Sequence, residues 1–177
     1  MGLLKRRAAL IALVTSCIGM TVVPNPNDCS AQDLSTRFGF GAGLVINPSN
    51  PSISTDDLGI DLRGRISKPV GARASIAADV STFLFSADES TEFVLNPQVS
   101  VIVTLDGERR FPYLVFGVGA LLPTEQGRSG QLTIQGAYGW AWPFGDGTSA
   151  FAELNPMIAF KDEGIALLFP LRGGLIF

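Results

Sequence analysis

The sequence predicts an all-β chain that folds as an eight-stranded, antiparallel, up-and-down transmembrane β-barrel. Three observations lead to this prediction. Eight segments alternate between apolar residues and polar or small ones, as strands with one apolar face do, and turn residues separate them. The segments are about 10–14 residues long, and a tilted membrane strand needs about 9–11. Only 16% of the residues are charged, whereas soluble domains average about a quarter.

The first four segments cover residues 37–46, 58–67, 72–85 and 93–105. Even-numbered residues form the apolar face of the first three, as Leu58, Ile60 and Leu62 do in the second. Odd-numbered residues such as Phe93 and Leu95 take over in the fourth. A Pro/Ser/Asn-rich loop, a tight turn around Gly71 and an acidic loop separate these segments.

The next three segments cover residues 111–122, 131–142 and 149–160, again with an even-numbered apolar face. Pro97, Pro156 and Pro170 fall inside predicted strands, where each removes one ladder donor, so bulges or different strand ends are expected there. Eight strands place both termini on the same side of a barrel.

The eighth segment, residues 164–177, predicts a strand with one continuous apolar face that ends in Phe177. Such a strand needs a neighbour on each edge and a non-aqueous medium on its apolar face. In this segment the chain resembles the bacterial outer-membrane β-barrel family, whose members commonly end in an alternating strand with a terminal Phe. The resemblance implies that the barrel-assembly machinery recognises Phe177. It also implies outer-membrane lipid and lipopolysaccharide as surroundings.

Residues 1–31 read as a cleaved signal peptide that precedes an outer-membrane barrel domain at 32–177. Lys5, Arg6 and Arg7 precede a short apolar run, and Cys29-Ser30-Ala31 offers small residues for cleavage. One alternative is a transmembrane anchor, for which the run is short against the ~20 residues required. The other is lipidation at Cys17 in a loose lipoprotein box. Cleavage after Ala31 leaves 10 basic and 15 acidic residues and no cysteine, which argues against a nucleic-acid partner.

Aromatic residues are expected to gather at the two membrane interfaces, as in membrane barrels. With the termini on the periplasmic side, one rim carries Phe38, Phe111, Trp140, Trp142 and Phe177. The outer rim carries Phe85, Phe93 and Phe160. The alternative is that these are ordinary β-forming aromatics of a soluble sandwich.

The polar faces predict a network of charged side chains inside the barrel. Its predicted members are Arg37, Asp61, Arg63, Arg65, Arg73, Asp79, Glu153 and Arg172, with Asn96, Gln98 and Gln135 beside them. An eight-stranded barrel has little more room than its own side chains need, so these charges should pair and plug it. A narrow, ion-selective lumen is the functional alternative.

Catalysis is disfavoured. Arginines near Asp61 and Asp79 keep carboxylates ionised, which makes them poor general acids. The chain contains no histidine, so it lacks the base used by the lipid A deacylases, palmitoyltransferases, phospholipases and omptins of the outer membrane. No cofactor and no metal cluster is expected.

The loops at the outer end are predicted to be acidic. They hold Asp56, Asp57, Asp88, Glu89, Glu92, Glu125, Asp162 and Glu163 against Arg128 and Lys161. The hypothesis is that these loops contact a basic partner or bind divalent cations that bridge lipopolysaccharide, with Asp56, Asp57, Asp88, Glu89, Asp162 and Glu163 as the candidate cation-binding residues. The alternative is a solvated acidic rim.

The sequence therefore predicts a small, non-enzymatic protein of the Gram-negative outer membrane, a monomer with a structural, adhesion-like or narrow-pore role. One alternative is a soluble lipocalin-like barrel that binds a small hydrophobic ligand, which needs an apolar lumen and a polar exterior. The other is a lipid-modifying enzyme, against which the missing histidine argues.

Overall fold

A computed structural model describes residues 35–48, 58–87, 90–105, 111–124, 129–144, 147–161 and 164–177. These residues form nine strands in one sheet. The strands are β1 (Arg37–Ile46), β2 (Leu58–Pro69), β3 (Ala74–Ala87), β4 (Ser90–Thr104), β5 (Phe111–Pro123), β6 (Gln131–Pro143), β7 (Ser149–Leu154), β8 (Met157–Lys161) and β9 (Gly164–Ile176). Within these ranges the structure contains no candidate transmembrane helix.

Pairing between the first and last strands closes the sheet. All strand pairs are antiparallel. Strands β1 to β6 pair in chain order, β7 and β8 both lie between β6 and β9, and β9 returns to pair with β1. At this seam Phe177 N donates to Phe38 O at 2.8 Å, and Phe38 N donates to Phe177 O at 3.1 Å. A closed sheet leaves no free strand edge, which is the condition for a strand-built wall in an apolar medium.

β7 and β8 together form one interrupted strand, so the barrel is eight-stranded, as predicted. Both strands pair with β6 on one side and β9 on the other. The break falls at Asn155 and Pro156, where the prediction of one unbroken strand over 149–160 is wrong. Because the pairing register is the same on both sides of the break, Pro156 interrupts the ladder without adding a residue.

Prolines weaken the ladder on both sides of this break. Gly136 N donates to Pro156 O at 3.1 Å, and Asn155 N donates to Pro170 O at 2.9 Å. A paired residue in an antiparallel ladder normally receives a bond back from its partner. Pro156 and Pro170 have no N–H, so neither returns that bond.

The wall turns its apolar side chains outward and its polar side chains inward. Leucines, isoleucines, valines and phenylalanines dominate the exposed positions, and Phe40 and Phe116 are 64% and 57% exposed. Arg63, Asp79 and Glu153 are buried. This arrangement is the reverse of a soluble ligand-binding barrel, so the structure does not support the lipocalin-like alternative.

Buried side chains fill the lumen in three layers. The first, the apolar layer, lies near the end of the barrel where β1 finishes and β2 begins. It consists of Val45, Phe83, Val94, Leu121, Met157, Ala159, Ala166 and Leu168. Polar and charged residues occupy the middle. Tyr113, Val115 and Ala137 form a smaller apolar cluster towards the termini.

Candidate functional site

The candidate site is the charged middle layer of the lumen, and β2 supplies half of it. Asp61, Arg63 and Arg65 alternate along β2, so all three side chains point to the same side of the sheet. That side is the lumen, where Asp61 is fully buried and Arg65 is 8% exposed. Asp79 of β3, Glu153 of β7 and Arg172 of β9 reach the same layer from neighbouring and facing strands.

Glu153 is the centre of the charged layer because it contacts all three arginines. Its Oε1 accepts from Arg63 Nη1 at 2.5 Å and from Arg172 Nη1 at 3.4 Å. Its Oε2 accepts from Arg65 Nη1 at 3.3 Å and from the Tyr113 hydroxyl at 3.1 Å. One carboxylate therefore ties β2, β5 and β9 to β7 across the lumen.

The two aspartates complete the pairing. Asp79 accepts from Arg65 Nε and, at 2.9 Å, from Ser100 Oγ. Asp61 accepts from Arg172 Nε. Three arginines thus face three carboxylates, so the layer carries no formal net charge. Neutrality matters because an unpaired charge in a low-dielectric interior is costly.

An aromatic ring also contacts the cluster. The Arg63 guanidinium carbon lies 5.2 Å from the centre of the Phe151 ring, within cation–π range. Phe151 is buried two residues before Glu153 on the same face of β7. The ring therefore shields the charged layer on the side towards the termini.

The structure brings six of the eight predicted network residues together and leaves two outside. Arg37 is the exposed first residue of β1, and Arg73 is exposed in the bend before β3. Their assignment to the buried network was wrong because alternation gives the side of the sheet but not the depth. Both have inward parity but lie at the rim, where water reaches them.

The amides predicted to lie inside are buried beside the charges. Gln135 Oε1 accepts from Asn155 Nδ2 at 2.8 Å, and Asn96 Nδ2 contacts Met157 Sδ at 3.2 Å. Gln98 is 4% exposed, and neither atom of its side-chain amide has a protein partner. These residues separate the charged layer from the apolar layer.

Sequence reasoning missed Tyr113, Phe151, Ser100 and Asn155 as contributors to this site. Each has the inward parity of its segment, so alternation signals that it faces the lumen. Nothing in the sequence signals that Tyr113 on β5 meets Glu153 on β7. That contact depends on how far neighbouring strands are staggered around the barrel.

The predicted interface aromatics lie on the outer surface, with one exception. Phe85 was wrongly assigned to the outer rim, because it has the inward parity of β3 and packs against the apolar layer beside Phe83. Phe38, Phe111, Trp140 and Phe177 are exposed, and Trp142 is half-buried. The rings of Tyr138 and Trp140 meet edge to face, with centroids 4.6 Å apart. Their role at a membrane interface and the role of Phe177 in assembly stay predictions. The predicted leader and the proposed cation-binding residues of the loops lie outside the described residues.

This arrangement links strands across the lumen. All three carboxylates are buried and accept hydrogen bonds from arginines. Among the described residues, no three His, Cys, Asp or Glu side chains come together in a way that could hold a metal.

Comparison with known proteins identifies the fold. No protein-family model and no curated protein sequence matches the chain. The Neisserial surface protein A structure matches with a TM-score of 0.67 and 12% identity, over 80% of this chain and 95% of that one. The N-terminal β-barrel domain of OprF from Pseudomonas aeruginosa matches with a TM-score of 0.53 and 15% identity, over 80% and 97%.

The architecture therefore defines an eight-stranded transmembrane β-barrel. More particularly, the fold is that of the small outer-membrane barrels, as the sequence predicted. At such low identity the likeness concerns the fold alone.

Proposed function

We propose that this protein is a non-enzymatic barrel of the bacterial outer membrane with a closed lumen, which anchors and displays its loops at the cell surface. In this proposal an exported precursor is assembled through the Phe177 strand and sits as a monomer among outer-membrane lipid and lipopolysaccharide. The acidic loops supply the surface for an adhesion-like role, with divalent cations or a basic partner as candidate contacts.

The single observation that supports this proposal is the filling of the lumen. The apolar layer and the neutral charged layer lie in series along the barrel axis. An ion that moves along the axis must shed its water at the first layer and separate ion pairs at the second. Both steps are costly in a narrow, low-dielectric interior.

A narrow pore is the second candidate, and one observation favours it. Ten buried side-chain atoms of the described residues lack a protein hydrogen-bond partner, including both amide atoms of Gln98 and one oxygen each of Asn96 and Asn155. Buried polar atoms of this kind are commonly satisfied by water. A hydrated middle layer would allow conduction if the apolar layer opened.

Planar-bilayer recording of the refolded full chain distinguishes the two candidates. We expect no unitary currents for the native protein. Flotation of the refolded protein with lipid vesicles, together with the change of gel mobility on boiling, is the control for insertion. Steady unitary currents from the native protein would favour the pore.

Membrane fractionation with boiled and unboiled gel samples tests the membrane location separately. A folded barrel is expected in the outer-membrane fraction, with a mobility that changes on boiling. Recovery in the periplasmic fraction would contradict the location.

A further inference from the structure

A pit interrupts the apolar exterior of the barrel halfway along β6. It has a volume of about 430 Å³, and the Gly136–Pro156 contact forms its floor. Phe116 and Phe169 form its two side walls. Gly136 has no side chain, and a Cβ built there meets nothing within 4 Å, so the space above it is open.

The strand register explains why the pit exists. Phe116 pairs with Gly136, and Gly136 bonds to Pro156. The pairs on either side, Leu154 with Leu171 and Met157 with Leu168, put Pro156 opposite Phe169. Across four neighbouring strands, this row of outward positions therefore carries a large side chain, no side chain, a small side chain and a large side chain.

The rows above and below carry full-sized side chains, so the gap is an open depression rather than a flat area. On one side Ile134 pairs with Ile158, and on the other Tyr138 pairs with Leu154. All four side chains are exposed on the outer wall. Two adjacent positions without long side chains are thus ringed by bulky apolar groups.

The position and chemistry of the pit restrict what fills it. Gly136 is close to the centre of β6, far from both rims. The exposed side chains around it are apolar, and no charged group lines it. The nearest outer loops contain only residues 125–128 and 162–163 outside the described residues. Segments of four and two residues are too short to fold down to mid-strand.

We infer that the pit is a binding site for one hydrocarbon chain of a membrane lipid. A flexible methylene chain suits a narrow apolar depression between two phenylalanines, because its attraction comes from many close dispersion contacts. The inference rests on the proposal that the barrel spans a membrane. Recognition is of the chain and not of the headgroup, since the pit is far from the rims.

Binding should also strengthen the wall at its weakest place. The pit lies directly over the break between β7 and β8, where two prolines leave ladder bonds unmade. A chain seated against Phe116, Pro156 and Phe169 adds packing across three strand pairs at that point. Lipid retained in the pit is therefore expected to raise the unfolding temperature.

Native mass spectrometry of the full chain refolded in lipid-free detergent tests the site. The probe is palmitoyl-oleoyl phosphatidylethanolamine, with phosphatidylglycerol of the same chains as a headgroup comparison. We expect one retained lipid of either kind on the native barrel. Gly136→Phe fills the pit and should lower the retained fraction at least tenfold. Gly136→Leu serves if the larger side chain prevents folding.

Gly64→Phe is the matched control. Gly64 also faces outward with nothing within 4 Å of a built Cβ, but it lies between Phe40 and Val80 without a second gap. This variant should keep its lipid. Heat-dependent gel mobility and membrane fractionation check that each variant is a folded membrane barrel, which separates failure of this site from failure of the proposed function.

Four results would overturn the inference. The first is an unchanged retained fraction in both Gly136 variants, and the second is no retained lipid on the native barrel. The third is retention that depends on the headgroup. The fourth is a native dimer that Gly136→Phe converts to monomer, which would make a second copy of the chain the occupant.

Discussion

The apolar and charged layers share one lumen, yet different interactions hold them. Phe83, Met157 and Leu168 fill space in the apolar layer, so volume decides whether a substitution is tolerated. In the charged layer Glu153 balances arginines from two strands, so charge decides. The difference teaches that two regions of one barrel interior respond to different kinds of substitution: the apolar layer to changes of volume and the charged layer to changes of charge.

The largest effect is expected at the centre of the charged layer. Glu153→Gln leaves three arginines facing two carboxylates, and breaking a buried ion pair on one side costs about 3–5 kcal/mol. Urea unfolding followed by Trp fluorescence measures the loss. A loss below about 1 kcal/mol would show that charge balance does not govern this layer.

Restoring neutrality sharpens the same test. Arg63→Met combined with Glu153→Gln leaves two arginines and two carboxylates. We expect the double variant to recover at least half of the stability lost in Glu153→Gln, measured in the same unfolding experiment. A double variant that is less stable than Glu153→Gln would assign the effect to lost contacts rather than to charge.

The next effect concerns packing. Leu168→Ala removes a 4%-exposed side chain from the apolar layer and should cost about 3 kcal/mol, as a buried Leu→Ala cavity does. Leu171 on the same strand is the control, because it is 58% exposed on the outer wall. Leu171→Ala should cost clearly less. Equal losses in urea unfolding would mean that the apolar layer is not closely packed.

A smaller effect is expected where volume is kept. Met157→Leu preserves the bulk of the apolar layer and gives up only the contact with Asn96, so it should cost less than about 1.5 kcal/mol. The same unfolding measurement checks this, with Met157→Ala as the cavity control. A loss as large as that of Met157→Ala would mean that the contact between the Met157 sulfur and Asn96, rather than side-chain volume, stabilises this part of the apolar layer.

The smallest effect is expected at the rim. Arg37 is exposed at the start of β1, so Arg37→Gln should change stability by no more than about 0.5 kcal/mol. The matched change in the buried layer, Arg172→Gln, removes the partner of Asp61 and should cost several times more. Similar unfolding free energies for the two variants would place Arg37 in the network after all.

Alternation along the sequence predicts the barrel well because period two depends only on the local backbone. Strand β1 has the predicted bounds, and Arg63 and Arg172 face the lumen as predicted. What alternation cannot give is height along the barrel axis. Arg37 and Arg73 were assigned to the buried network for that reason, although both lie at the rim.

Contacts that depend on strand stagger were beyond prediction. The meeting of Tyr113 with Glu153, and the alignment of Phe116, Gly136 and Pro156 in one row, follow from register between neighbouring strands. Register depends on turn geometry and on closure of the whole sheet, which no local pattern contains. Pro156 was recognised as a disturbance, but its effect, a break without an inserted residue, required the pairing on both sides.

The uneven ladder also sets where the wall opens first. β3 and β4 pair without interruption from Ala74 opposite Val103 to Ala87 opposite Ser90. The interrupted strand formed by β7 and β8 has gaps in its pairing with both neighbours, β6 and β9. Under deuterium labelling, amides beside Asn155 should exchange well before those between β3 and β4. Transient opening of the barrel would thus begin at this interrupted strand, while β3 and β4 stay hydrogen-bonded to each other.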